Sequence, residues 1–74
     1  MYDSLIRPEY AHTYALFNYT TGEVYTSSCN CSTYALRTLL RRMDGQAREA
    51  ARLGLSYHLR LMNMRTRTVV CESK

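Results

Sequence analysis

The sequence predicts an α+β domain in two layers: one long helix packed on an antiparallel sheet of three to four strands, in the order β-hairpin, helix, β-hairpin. Three observations carry this. Apolar residues alternate with a period of two on either side of Gly22. Between Ser32 and Gly54 they recur every three or four positions, and from Leu55 the period of two returns. With 74 residues the chain holds one small domain, and a domain of that size buries only roughly 60% of the surface its unfolded form exposes. A large enclosed substrate cavity is therefore excluded. So is a disordered chain, because 46% of the residues are hydrophobic and the net charge is only +4.

Residues 1–9 read as an extended arm, with Pro8 pushing Arg7 toward extended backbone. The domain proper spans residues 10–74. In residues 10–17, Tyr10, His12, Tyr14 and Leu16 alternate with Ala11, Thr13, Ala15 and Phe17, a strand with two partly apolar faces. Asn18-Tyr19-Thr20-Thr21-Gly22 supplies turn residues, and Gly22 is free to take positive φ. Residues 23–28, rich in Val, Tyr and Thr, return as the second strand.

Ser32 or Thr33 is a natural N-cap for a helix over residues 34–53, and Gly54 suits the position just past its end. The helical period gathers Leu36, Leu39, Leu40, Met43, Ala47, Ala50, Ala51 and Leu53 into one apolar stripe, with Gly45 on the solvent side. Leu55, Tyr57, Leu59 and Leu61 then share one face of a third strand. Asn63 can turn, and residues 65–71 form a fourth strand or extend the third past a bulge.

Charge is unevenly placed. Residues 1–36 set Arg7 against Asp3, Glu9 and Glu23, a balance of −2. Residues 37–74 set eight arginines and Lys74 against Asp44, Glu49 and Glu72, a balance of +6. Relative to Leu36, an advance of about 100° per residue puts Arg37, Arg41, Arg48 and Arg52 at about 100° to 160°. They form a ridge along one flank of the helix. Arginine grips carboxylates and phosphates in a planar, two-pronged way. Seven tyrosines accompany it, and Tyr with Arg is the composition of interface hot spots. The expected binding surface is Arg37, Arg41, Arg48 and Arg52, joined by Tyr14, Tyr19 and Tyr25 of the first hairpin.

Catalytic and metal chemistry find little support. Cys29-Asn30-Cys31 has metal-ligand residue types, and Cys71, His12 or His58 would complete a zinc site. The spacing is not that of a zinc finger. The odd cysteine count argues against a disulfide framework, so three free thiols and no bound metal or other cofactor are expected. His12 and His58 read as half-buried strand histidines. There is no Gly-rich phosphate loop. No segment approaches the ~20 apolar residues of a membrane span, and residues 1–10 lack the apolar run of a secretory signal. The expected location is cytoplasmic, the bacterial host cytoplasm if a phage encodes the chain.

His12-Thr13-Tyr14 and Tyr25-Thr26-Ser27, followed by helix arginines, resemble the layout of the GIY-YIG nucleases over about residues 12–42. That resemblance implies two hairpin tyrosines, Tyr14 and Tyr25, a helix arginine, Arg37 or Arg41, and a metal-binding glutamate, Glu72. The two motif glycines are replaced by His12 and Ser27. In type rather than in residues, the chain looks like the small inhibitors that phages encode against host machinery, anti-CRISPR proteins among them. The expected function is therefore a non-enzymatic binding protein that blocks a host protein or nucleoprotein complex through an acidic surface of that partner. A nucleic-acid-binding module using the arginine ridge is the second reading, and a degenerate nuclease the third. No membrane partner is expected, and a homodimer is left open.

Overall fold

The computed structural model describes residues 5–27 and 32–73. It contains β1 (Tyr14–Asn18), β2 (Glu23–Thr26), one helix, α1 (Thr33–Arg52), then β3 (Leu59–Asn63) and β4 (Thr68–Ser73). The fold is α+β as expected: one helix on a four-stranded antiparallel sheet of order β2-β1-β3-β4. β2 and β3 both pair antiparallel with β1 and flank it. The two hairpins are thus joined at their inner strands, and α1 carries the chain from one side of β1 to the other.

Both helix ends follow from local chemistry. Ser32 is extended at φ −78°, and its hydroxyl accepts the Ala35 amide hydrogen at 3.1 Å, which satisfies one of the first-turn donors. At the far end Gly54 takes φ +72°. The Leu55 amide donates to the Ala50 carbonyl at 2.7 Å, and the Gly54 amide to Ala51 at 3.2 Å. These are the two bonds of a Schellman motif, and they satisfy the Ala50 and Ala51 carbonyls.

The sheet is apolar on both faces. Beneath α1, Leu16, Leu59 and Leu61 meet Leu39 and Met43, with Tyr14, Tyr25, Leu36 and Tyr57 packed around them. On the other face, Ala15, Phe17, Met62 and Met64 are covered by Leu5, Ile6 and Tyr10. β1 is the centre of both layers, and its residues from Ala15 to Asn18 are all buried. The segment before β1, expected as an extended arm, includes a 3-10 turn at Pro8–Tyr10. It stays on the sheet because Leu5, Ile6 and Tyr10 cover apolar area that water would otherwise meet.

Several boundaries differ from the sequence reading. The first strand begins at Tyr14, not at residue 10, because Pro8 starts the 3-10 turn and His12 lies in the following turn. The third strand begins at Leu59. Residues 55–58 keep the period of two but carry the chain from the helix layer to the sheet, and Leu55 is 54% exposed. Asn63 closes β3, residues 64–67 form the turn, and the fourth strand runs from Thr68 to Ser73, with a bulge opposite Leu61/Met62.

The helix is one piece, as expected, but it is rolled. Its buried residues are Ala35, Leu39, Met43 and Ala50, a line about 50° from the centre of the expected stripe on the helical period. Leu40 and Leu53 are exposed instead, as are Ala47 and Ala51. Leu39 and Met43 bring far more apolar area than Ala47 and Ala51, so seating them over Leu16 and Leu61 prevails.

Candidate functional site

The roll of the helix decides where its arginines sit. Arg37, Arg41, Arg48 and Arg52 fall on the flank of the expected stripe, but they lie about 180° from the line that is actually buried. They therefore occupy the outermost edge of the molecule on the helix side, and all four are exposed. Spanning Arg37 to Arg52, they cover about 22 Å at 1.5 Å per residue. Arg48 pairs with Asp44 at 3.1 Å, with both side chains well exposed, so the pair adds little stability. Arg37, Arg41 and Arg52 form no ion pair among the described residues.

Beside the ridge is a shallow open depression of about 600 Å³, lined by Tyr34, Thr38, Arg41, Arg42, Gly45, Gln46 and Glu49. The missing side chain of Gly45 forms its floor; a Cβ there would meet nothing within 4 Å. Tyr34 is 70% exposed. On its far side Arg42 turns down over the ring of Tyr25, 4.4 Å from the ring centre, a cation–π contact. Tyr34 and Arg42 were not among the expected site residues. The helical period alone places both beside the ridge, which is the signal that finds them.

The three expected tyrosines do not share one surface. Tyr14 and Tyr25 are half-buried beneath α1. Tyr19 lies on the other face of the sheet, stacked on Phe17 at 5.8 Å and tilted against His58 at 5.1 Å. Glu72 belongs to that second face too. Its Oε2 accepts from His58 Nε2 at 2.8 Å and from an Arg60 guanidinium N–H at 2.9 Å. The structure thus separates Glu72 from Tyr14 and Tyr25 by the thickness of the sheet. His12 is exposed in the turn before β1.

Cys29 and Cys31 lie outside the described residues, and Cys71 is a free, exposed thiol on β4. Among the described residues no group of three His, Cys, Asp or Glu side chains is placed to hold a metal ion. No helix among them is long and apolar enough to cross a membrane. Comparison with protein-family models, with curated proteins and with solved structures finds no match to this chain.

Proposed function

We propose that this chain is a non-enzymatic binding protein that docks on an acidic face of a host protein or nucleoprotein complex through the outer face of α1, in the manner of the small phage-encoded inhibitors. The observation that carries this is the line of Arg37, Arg41, Arg48 and Arg52 opposite the buried stripe, with the Tyr34–Arg41–Arg42 depression beside it. Exposed arginines next to an exposed tyrosine form the kind of surface on which binding energy concentrates. Each guanidinium offers a fork that fits a carboxylate with two parallel hydrogen bonds.

A protein partner is favoured over nucleic acid by the carboxylates on the same face. Asp44 and Glu49 are exposed on the two sides of the arginine ridge, and a phosphate backbone laid along the ridge would pass between them. A protein surface answers such a mixed pattern with its own lysines and arginines.

Affinity capture from a bacterial lysate, with and without nuclease, compares wild type with Arg41→Glu/Arg48→Glu. The expected result is capture of a discrete protein that survives nuclease and falls at least tenfold in the double variant, whose circular dichroism spectrum stays that of wild type. Capture abolished by nuclease would transfer the ridge to nucleic acid. Full capture by the folded double variant would remove the ridge from the binding surface.

A further inference from the structure

The sheet is wider than the helix that covers it. Four strands at about 4.8 Å spacing span about 19 Å, and one helix is about 10 Å across. α1 packs on the two central strands, β1 and β3. The two edges are then treated differently. Over β2, Arg42 reaches down onto Tyr25 and closes the space. Arg42 therefore marks the β2 side of the helix, and the opposite flank, bearing Leu40, Ala47 and Ala51, looks toward β4.

Among the described residues nothing covers that flank. Leu40 is 38% exposed, and Ala47 and Ala51 are exposed. On β4, Cys71 stands opposite Leu61 and Thr68 opposite Asn63, which puts both on the α1 side of the sheet. Both are exposed, as is every β4 residue except the terminal Ser73. An open groove thus runs between the apolar flank of α1 and the β4 edge. A helix packed against α1 at the usual 8–10 Å axis separation, as helices pack on one another, lies directly over β4. The small side chains of Ala47 and Ala51 permit that approach.

Charge indicates what such a helix carries. Arg37 and Arg48 rise along the outer rim of the groove, with Arg41 and Arg52 behind them on the helical period. Among the described residues Asp44 is the one carboxylate on that rim, already 3.1 Å from Arg48. The geometry points to a partner that inserts an amphipathic α-helix into the groove between α1 and β4, apolar face down, with an acidic flank against Arg37 and Arg48. This deepens the docking reading above and rests on it: it names the element that the acidic partner presents.

The test uses the full chain, labelled with ¹⁵N, and a synthetic 18-residue helical peptide with Leu on one face and Glu along the adjoining flank. A scrambled peptide of the same composition is the control. The groove predicts binding at least tenfold tighter than the scrambled peptide, with amide shifts at Leu40, Ala47, Ala51 and Cys71. Ala47→Lys blocks the groove while retaining a helix-forming residue and adding no negative charge; it should weaken the peptide at least tenfold. Ala51→Lys does the same from the next turn, should the first variant fold poorly.

Three results would overturn the groove. In the first, the lysine variants bind like wild type while Arg41→Glu/Arg48→Glu does not, so that the arginine face stands without the groove. In the second, amide shifts are confined to the arginine ridge. In the third, the free chain runs as a dimer that Ala47→Lys dissociates, so that a second copy is the occupant. Unchanged binding in all variants would remove both readings together.

Discussion

The two hairpins of this fold use the same local device in different surroundings. Each inner strand ends on an asparagine whose side chain holds the turn. Asn18 Oδ1 accepts the amides of Thr20 and Thr21 at 3.0 and 3.1 Å, and Asn63 Oδ1 accepts the amide of Arg65 at 3.0 Å. Asn18 is fully buried. Its turn is stitched to the segment entering β3 by Thr20, whose hydroxyl accepts the His58 amide at 2.9 Å, and Tyr25 of its outer strand carries Arg42 over its ring. The second hairpin is also tied in at its turn, where the buried Met64 donates its amide to the Thr13 carbonyl at 3.0 Å, but its outer strand is open, with Val69 and Val70 47% and 43% exposed. The same kind of side-chain device therefore holds two amides in a fully buried site at one end of the sheet and one amide in a half-buried site in the other hairpin. The side with the more exposed outer strand is the one that leaves room for a partner.

The comparison is broken most directly at the asparagines. Removing the Asn18 carbonyl in Asn18→Ala strands two amides in a part-buried site, where an unmet donor costs about 1–3 kcal/mol. A loss of about 2 kcal/mol is expected there, because the Asn18 amide nitrogen is itself buried without a partner among the described residues and its removal offsets part of the effect. Asn63→Ala exposes its amide to water and should lose about 1 kcal/mol or less. Urea denaturation of the two variants reads the difference. Equal losses would mean that burial does not distinguish the hairpins.

The features legible in the sequence were those written in local chemistry. Ser32 and Gly54 mark the helix ends, and Gly22 marks the first turn. The run from Leu36 to Ala51 carries the helical period. Strand starts were misread where a period of two persists for another reason. Tyr10 and His12 alternate like strand residues, yet Pro8 has already set a 3-10 turn. Leu55 and Tyr57 alternate too, but the chain there is still descending from the helix to the sheet. The roll of α1 was not local at all. It depends on Leu39 and Met43 meeting Leu16 and Leu61, residues 18 or more positions away along the chain. The arginine ridge survived this because a rigid rotation of the helix moves all four arginines together, from the flank to the outermost line. The tyrosines do not stay together, because Tyr14 shares the α1 face with Leu16, while Tyr19, just past the end of β1, packs on Phe17, whose position in the strand faces the other way.

The turns themselves give the next contrast. Gly22 sits at φ +81° and Arg67 at φ +59°. The first is a residue suited to left-handed backbone and the second is not. Gly22→Ala should cost about 1 kcal/mol through the backbone alone, since an added Cβ meets nothing within 4 Å. Arg67→Gly should raise stability by a few tenths of a kcal/mol up to about 1, the relief of left-handed strain being partly offset by the greater freedom of glycine in the unfolded chain. Thermal denaturation of both variants should show opposite signs. A loss in Arg67→Gly would mean that the arginine side chain, not the backbone, holds that turn.

The smallest expected effect bears most on the groove. If Arg42 seals the β2 edge, its contact with Tyr25 should appear as a coupling energy in a double-mutant cycle of Arg42→Gln and Tyr25→Leu. At a partly exposed cation–π pair that coupling is about 0.5–1 kcal/mol. Measured by urea denaturation, it should persist in moderate salt, because the ring lies directly under the guanidinium at 4.4 Å and the contact does not depend on long-range attraction. The contact also marks which flank faces β2 and hence which flank is left over β4. A cycle with no coupling would make the two edges alike. The sheet would then be open on both sides of α1, and the preference for a partner helix over β4 would lose the asymmetry on which it stands.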